Sequence, residues 1–258
     1  MTNKPATGVI HIIGLGPGDN ALLTDDARAA LAEATDLIGY VPYVARVADR
    51  PGLTKHASDN RVEIDRANHA FELALQGRVV AVVSSGDPGV FAMAAAVFEG
   101  LDFGPSEWRS VPVHVHPGIT AMLAASARAG APLGHDFCAI NLSDNLKPWD
   151  LIEKRLRLAA QADFAMAFYN PRSKSRPEGF GRTLQVLQEE CRDARPVIFA
   201  RNVSLPDETI RIVPLNECTP NMADMRTVVL VGSSQTRVLD RPMGPIVYTP
   251  RTAPKARS

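Results

Sequence analysis

Long hydrophobic runs are missing from this chain of 258 residues, and so is an excess of charge of either sign. No apolar stretch approaches the ~20 residues that a helix needs to cross a bilayer, and the opening residues MTNKPATG lack the hydrophobic region of a signal peptide. We therefore expect a cytoplasmic protein. Lys plus Arg and Asp plus Glu number 28 each, and this balance argues against nucleic-acid and membrane partners.

Cysteine is scarce, and no metal-binding or phosphate-binding signature occurs. The three cysteines are Cys138, Cys191 and Cys218; their odd number and wide spacing argue against a disulfide framework and a zinc site, so we expect no metal. The P-loop pattern GxxxxGK[ST] is missing as well. In contrast, 45% of the residues are hydrophobic, which is enough for the core of one large or two modest domains.

Short β-rich runs alternate with segments of helical periodicity. The runs are Val9–Ile13, Asp36–Ile38, Val79–Val83, Val113–His116, Phe137–Leu142, Phe164–Phe168, Val197–Ala200 and Thr227–Val231. This alternation predicts an α/β fold with mainly parallel sheets. Because so many strands rarely share one open sheet, we predict two domains at residues 1–116 and 117–240, followed by a loosely held tail at 241–258.

Two helices have clear ends in the sequence. Thr24 is a candidate N-cap for the first, because acidic residues follow it in the first turn. The second is predicted over Arg61–Gln76, and Gly77 is a suitable stop before the next strand.

Three glycine turns each follow a predicted strand: GLGPGD at 14–19, SSGDPG at 84–89 and HPGITA at 116–121. In α/β proteins such turns hold ligands, because glycine lets the backbone approach closely. The first turn reads GxGxG rather than GxGxxG, and Asp19 stands where the dinucleotide motif needs its third glycine. Asp87 lies in the second turn, and carboxylates at these places would repel a phosphate.

A carboxylate at a ligand turn suits a cationic or hydroxyl-rich ligand such as S-adenosylmethionine. Two alternatives stay open on the residues alone. Asp19 and Asp87 would instead cap the helices that follow, or the protein would be a nicotinamide-dependent oxidoreductase.

Taken together, GLGPGD, SSGDPGVFAM at 84–93 and PGITAMLAA at 117–125 resemble the tetrapyrrole (corrin and porphyrin) methylases, over about Val9 to Ser234. The segments GYVPYV at 39–44, 131–156 and 162–177 resemble the members that act in cobalamin biosynthesis. The resemblance implies a class III methyltransferase with two αβα domains, mainly parallel or mixed sheets and an active-site cleft between the domains. It also implies S-adenosylmethionine as cofactor, a tetrapyrrole substrate and a homodimer.

The resemblance further implies which residues contact the cofactor. They are Pro17, Gly86, Asp87, Val90, Thr120, Ala121, Tyr169, Asn170, Arg201, Asn202, Gly232 and Ser233. Relatives that methylate uroporphyrinogen carry a proposed basic aspartate where this chain has Gly39 and Tyr40. The general base therefore stays unassigned.

Side-chain chemistry supplies further candidates. Groups able to exchange a proton are Asp19, Tyr40, Tyr43, His116 and His135. His114 and His116 share a strand face, which we interpret as packing rather than metal binding. A tetrapyrrole with many carboxylates needs local cations, and the candidates are Arg172, Lys174, Arg176, Arg28, Arg46 and Arg201.

Overall fold

The computed structural model describes residues 7–59, 62–191 and 194–252. The chain divides into two compact units, Met1–Thr120 and Ala121–Ser258. Arg61, where the second helix was expected to begin, and residues 253–258 of the expected tail lie outside the described residues. In the described part, no helix is both long and apolar enough to cross a membrane.

The first unit is built around one parallel sheet. Its elements in chain order are β1 (Val9–Gly14), α1 (Asp25–Glu33), β2 (Asp36–Tyr40), α2 (Val41–Val44), β3 (Thr54–Ser58), α3 (Glu63–Leu75), β4 (Val79–Ser84), α4 (Met93–Phe103) and β5 (Val113–His116). The strand order is β3, β2, β4, β1, β5, and every pair is parallel. All five carboxyl ends therefore lie at one edge of the sheet.

Alternating side chains of these strands build a core on each face. On one face, Ile13 and Val83 pack with Ala27 of α1; on the other, Ile12 and Val82 pack with α3 and α4. The neighbouring strands β1 and β4 thus lead into helices on opposite faces. In an α/β sheet this arrangement opens a crevice at the carboxyl ends, where ligands bind.

The predicted helix ends in this unit are confirmed. Thr24 caps α1, because its side-chain oxygen accepts a hydrogen bond from the Ala27 amide at 3.2 Å. Gly77 follows α3 with φ of +84°, a left-handed conformation that ends a helix and that glycine adopts without strain.

The second unit carries a mixed sheet. Its elements are α5 (Ala121–Ala129), β6 (Gly130–Ala131), β7 (Phe137–Asn141), α6 (Trp149–Gln161), β8 (Ala165–Tyr169), α7 (Gly179–Glu190), β9 (Pro196–Arg201), β10 (Thr209–Pro214), β11 (Thr227–Val231), β12 (Arg237–Leu239) and β13 (Ile246–Tyr248). The main sheet has the order β10, β9, β11, β8, β7, and β12, β13 and β6 form a small second sheet.

The α/β class with parallel and mixed sheets is confirmed, but antiparallel pairs are more frequent in the second unit than the alternation suggested. Only β7 and β8 pair in parallel in its main sheet. Residues 202–208 join β9 to β10, and so short a link cannot make the crossover that parallel neighbours need. The expectation of a loose tail is wrong for Ile246–Tyr248, which form β13 with Val247 fully buried.

Candidate functional site

The three glycine turns predicted from the sequence meet backbone to backbone in the first unit. A Cβ atom added to Gly14 would lie 2.6 Å from the Gly86 carbonyl oxygen, and one added to Gly118 only 2.2 Å from the same oxygen. Each distance is far below a van der Waals contact. Glycine is therefore needed here for the close approach of three chain segments, which together we call the turn cluster (residues 14–19, 84–90 and 116–120).

Hydrogen bonds join the first and second turns directly. The Gly16 amide donates to the Gly86 carbonyl at 3.1 Å, and the Gly86 amide donates back to the Gly16 carbonyl at 2.9 Å. Both residues have φ of +67°, which glycine adopts without the steric cost of a side chain.

Asp87 joins the second turn to the third. One carboxylate oxygen accepts from the Gly89 amide at 2.8 Å, and the other accepts from the Gly118 amide at 3.0 Å. The next helix, α4, begins only at Met93 with Ala92 as its N-cap. The helix-cap alternative is therefore wrong for Asp87, which holds two turns together.

Asp19 has the capping role that was the alternative to ligand contact. Its exposed carboxylate accepts from the Ala21 amide at 2.8 Å and caps the short 3-10 helix Asn20–Leu22. A proton-transfer role for Asp19 stays a prediction.

Arg46 holds the first turn in place. Its guanidinium donates to the carbonyl oxygens of Leu15 at 2.6 Å, Gly16 at 3.1 Å and Gly18 at 3.3 Å, and reaches the Ser85 hydroxyl at 3.4 Å. Burial lowers the pKa of this side chain from its usual value. The guanidinium is thus engaged mainly by backbone acceptors, which weighs against the expected contact with a substrate carboxylate; that contact stays a prediction.

These bonds decide what the turn cluster can bind. The amides of Gly16, Gly86, Gly89 and Gly118 already have acceptors within the protein, whereas a phosphate site needs such amides pointing at the ligand. Pro17 and Val90 are half-buried beside them. The cluster therefore offers a close-packed, carboxylate-bearing surface on which these four glycine amides are not free to bind a phosphate.

The remaining predicted residues of the third turn fall on both sides of the division between units. Thr120 is buried and ends the first unit, and Ala121 is the first residue of the second unit and of α5. Their contact with a cofactor stays a prediction.

Arg28 lies nearby on α1. It donates to the Asn20 carbonyl at 3.2 Å and lines a cavity of about 220 Å³ together with Leu15, Leu23, Leu31 and Val47. Arg28 is exposed, so a role in binding an anion stays open to it.

His116 is engaged at both ring nitrogens. Its Nδ1 lies 2.6 Å from a carboxylate oxygen of Asp26, and its Nε2 lies 2.8 Å from Nδ1 of His11. His114 stacks on His11 with ring centroids 5.7 Å apart. Burial, then the charges of His116 and His114, lower the pKa of His11. His116 therefore fastens β5 to α1, which weighs against its role as a general base.

Tyr40 and Tyr43 pack edge to face with ring centroids 5.4 Å apart. Burial raises the pKa of the Tyr43 phenol, and Tyr40 raises it further. The raised pKa favours the protonated phenol, which weighs against Tyr43 as a base and leaves a role as proton donor open to it. Tyr40, at the N-terminus of α2, remains a candidate.

In the second unit, the ends of β7, β8 and β9 share one edge of the sheet, and Tyr169, Asn170, Arg201 and Asn202 lie there. The Tyr169 hydroxyl accepts from the Met122 amide at 3.0 Å. The Asn170 side-chain amide donates to Oδ1 of Asn141 at 3.1 Å, so the loops after β7 and β8 are tied together.

Two of these residues bind carboxylates, one just before β11 and one in the loop after β9. Arg201 donates to Asp224 at 2.9 Å, and this ion pair raises its pKa. The buried side chain of Asn202 donates to Asp207 at 2.6 Å.

Other predicted residues are not brought to this edge. Because β11 runs antiparallel to β9, Val231 lies opposite Val197 and Gly232 donates to the Pro196 carbonyl at 2.9 Å. Gly232 and Ser233 thus lie at the opposite edge. His135 precedes β7 at that same opposite edge, where its Nδ1 accepts from the Asp136 amide at 2.8 Å.

The predicted cations Arg172, Lys174 and Arg176 lie on the loop after β8. Lys174 is exposed, Arg172 is half-buried, and only 12% of the Arg176 side chain is exposed. Lys147, on the loop after β7, was not among the cations predicted from the sequence. Its position between a strand end and a helix start was the only available signal.

Comparison with known proteins agrees with this geometry. The profile of the family described as Tetrapyrrole (Corrin/Porphyrin) Methylases matches residues 9–219. A Sinorhizobium sp. protein named precorrin-3B C(17)-methyltransferase is 52% identical, over 95% of this chain and 97% of its own length. A Salmonella typhimurium protein named probable cobalt-factor III C(17)-methyltransferase is 37% identical, over 94% and 98%.

Among solved structures, that of the methyltransferase CobJ is 62% identical and superposes with a TM-score of 0.91, covering 94% of this chain and all of its own. The profile match spans most of the chain, and the relatives are matched over nearly their full lengths. This chain therefore belongs to the tetrapyrrole (corrin/porphyrin) methylase family.

Proposed function

We propose that this protein transfers a methyl group from S-adenosylmethionine to C17 of precorrin-3B, with contraction of the ring to give precorrin-4, in cobalamin biosynthesis. The observation that carries the proposal is the 52% identity, over 95% of this chain, to the relative of that name. The segments GYVPYV and 162–177, which resemble the same branch of the family, support it.

The turn cluster fits the proposed cofactor. S-adenosylmethionine supplies, when bound, a methyl group on a positively charged sulfur. The cluster carries the carboxylate of Asp87, and the amides of Gly16, Gly86, Gly89 and Gly118 are already bonded within the protein, so its chemistry favours a cation with hydroxyl groups over a dinucleotide. We assign the cofactor contacts of the first unit to Pro17, Gly86, Asp87 and Val90, which lie together there.

For the methyl transfer, the chain mainly has to hold its ligands in line and exclude water. Positioning of this kind can be worth about 7–11 kcal/mol of the barrier. The backbone bridge between Gly16 and Gly86 and the fork of Arg46 make the turns rigid. Rigid turns would hold the cofactor in a fixed position, which in-line methyl transfer requires.

Ring contraction additionally needs a proton to leave a hydroxyl group of the macrocycle. His116 is fully hydrogen-bonded and Tyr43 stays protonated. Tyr40 is half-buried, and we propose it as the proton donor or acceptor, with an ordered water as partner; a proton-transfer role for Asp19 stays a prediction.

The macrocycle's carboxylates need cations, and the loop after β8 supplies Arg172, Lys174 and Arg176. We assign substrate binding to this loop, with Arg28 as a further contact. A homodimer, a cytoplasmic location and domain limits at residues 116 and 240 stay predictions.

Two other functions are distinguished by specific features. The cobalt-loaded substrate is favoured by the 37% identical relative named for cobalt-factor III, but the higher identity of the precorrin-3B enzyme favours the metal-free ring. A nicotinamide-dependent oxidoreductase is opposed by the bonded amides of the turn cluster.

The test is a methylation assay with methyl-labelled S-adenosylmethionine and, in separate tubes, precorrin-3B, cobalt-factor III and an earlier precorrin. We expect label in a ring-contracted product from precorrin-3B. Label transferred only to another ring would refute the assignment. Thermal stabilisation by S-adenosylhomocysteine but not by NAD(H) checks the cofactor independently, because a ligand that binds the folded state raises Tm.

A further inference from the structure

A surplus of positive charge gathers where β7 and β8 end in the second unit. Lys147 donates to the Ser143 carbonyl at 3.0 Å, and Arg176 lies 3.8 Å from the carboxylate of the next residue, Asp144. Asn141 accepts from the Ser143 amide at 2.9 Å and from the Asn170 side chain at 3.1 Å. The loops after β7 and β8 are therefore joined by a hydrogen bond. Their two cations contact the consecutive residues Ser143 and Asp144.

Arg176 is poorly compensated for its burial. Its side chain is 12% exposed, yet its contacts within the described residues are an ion pair at 3.8 Å, the Asn170 carbonyl at 3.4 Å and the Met225 sulfur at 3.7 Å. A buried charge without a close partner is costly. The guanidinium fork can take a carboxylate through two parallel hydrogen bonds, and no described carboxylate is that close.

Arg157, in the same unit, shows how an arginine charge is usually compensated by nearby carboxylates. Its side chain is 33% exposed and bonds Glu153, Glu189 and Glu190 at 2.7 to 2.9 Å. The more exposed arginine thus has three close carboxylates, and the more buried one has none. The contrast indicates that a partner for Arg176 comes from outside the described residues.

Lys147 is the second cation in this region of surplus positive charge. It is half-buried and makes no ion pair with any described residue. Burial lowers its pKa, and the positive charges of Arg155 and Arg176 lower it further, while Asp144 raises it. An arriving anion would relieve both the burial and the repulsion.

We propose that Lys147 and Arg176 form a carboxylate-binding subsite, in which an acetate or propionate group of the tetrapyrrole substrate pairs with the guanidinium fork and the ammonium group. Arg155 adds positive charge at its rim. The inference rests on the proposed function, since that function supplies a ligand with many carboxylates.

The test compares Lys147→Gln and Arg176→Lys with the control Lys154→Gln. Lys154 is an exposed lysine of α6, and its replacement changes the net charge as Lys147→Gln does, whereas Arg176→Lys keeps the charge and removes the guanidinium fork. Steady-state kinetics with precorrin-3B should show KM raised about tenfold for Lys147→Gln, the loss of one charge-assisted hydrogen bond, with kcat unchanged. Lys147→Arg should restore it. Calorimetric affinity for S-adenosylhomocysteine should match the wild type in every variant, because the fold is kept.

Unchanged KM in both variants, with normal wild-type turnover, would overturn the subsite and leave the proposed function intact. If the wild type fails to methylate precorrin-3B, the proposed function falls, and titration with the polycarboxylate uroporphyrin III then decides the subsite. Binding about tenfold weaker in Lys147→Gln than in Lys154→Gln supports it. Equal affinities, or no binding by the wild type, overturn it.

Discussion

Replacing Asp87 by Ala should loosen the turn cluster and weaken cofactor binding together. The carboxylate makes two hydrogen bonds, to the Gly89 amide at 2.8 Å and the Gly118 amide at 3.0 Å. Hydrogen bonds to a charged group contribute about 1.5–3 kcal/mol each. Gly89 is exposed and Gly118 half-buried, so water can replace much of the first bond. We therefore expect the free energy of unfolding to fall by about 2–3 kcal/mol.

Urea unfolding measures this change directly, provided that the m value stays constant. Asp87→Asn keeps one acceptor oxygen and should lose about half as much. Asp19→Ala is the control, because the Asp19 carboxylate accepts a single backbone amide, is exposed and caps only a three-residue 3-10 helix. This change should lower the free energy of unfolding by about 0.5–1 kcal/mol.

Calorimetry with S-adenosylhomocysteine separates the two roles of Asp87. We expect at least a tenfold loss of affinity in Asp87→Ala, about 1.4 kcal/mol. A stability within 0.5 kcal/mol of the wild type would refute the linkage of the turns through this carboxylate, since surface changes commonly lie in about that range. Reduced stability with unchanged affinity would make Asp87 purely structural.

Three further predictions concern the same unit. Arg46→Ala should lower the free energy of unfolding by about 2–4 kcal/mol in urea, because at least the bonds to Leu15 and Gly16 are lost; an unchanged urea midpoint would contradict this. Gly118→Ala should lower both Tm and S-adenosylhomocysteine affinity, because its Cβ would lie 2.2 Å from the Gly86 oxygen; wild-type Tm would show that the turns separate easily. The pKa of His11 is lowered from 6.5 by burial and its histidine neighbours, so the folded state binds fewer protons than the unfolded state just below that pH. The stability that depends on neutral His11 is complete above pH 6.5 and is lost as pH falls below that value. The free energy of unfolding, measured in urea from pH 7.5 to 5, should therefore change less steeply with pH in His11→Asn than in the wild type. Equal slopes of this free energy against pH would refute the prediction.

The parts of the fold that the sequence predicted are those set by local pattern. The buried strand β4 is an apolar run up to Ser84, and β1 is apolar apart from His11. The Thr24 cap and the Gly77 stop follow from residue type alone. Strand β3, Thr54–Ser58, was missed, because an edge strand of polar composition carries no apolar signal.

The direction of β11 could not be read from its own residues. Its run TVVLV is equally compatible with a parallel or an antiparallel neighbour, and pairing with β9 and β8 decides the matter. For this reason Gly232 and Ser233, expected beside Tyr169, lie at the opposite edge.

At the candidate site, residue types were predicted better than their partners. The three glycine turns were expected to matter, and the structure brings them together. The roles of Arg46 and His116 depend on atoms contributed by distant segments, such as the Leu15 carbonyl and the Asp26 carboxylate. The spacing of motifs along the sequence does not show which distant residues will form hydrogen bonds in the fold.

We propose that the turn cluster binds S-adenosylmethionine, and a crystal structure of this protein with S-adenosylhomocysteine would test this binding. We predict density for the ligand against Pro17, Gly86, Asp87 and Val90, with the bridge between Gly16 and Gly86 intact. Ligand density elsewhere, or no contact with any of these four residues, would contradict the account.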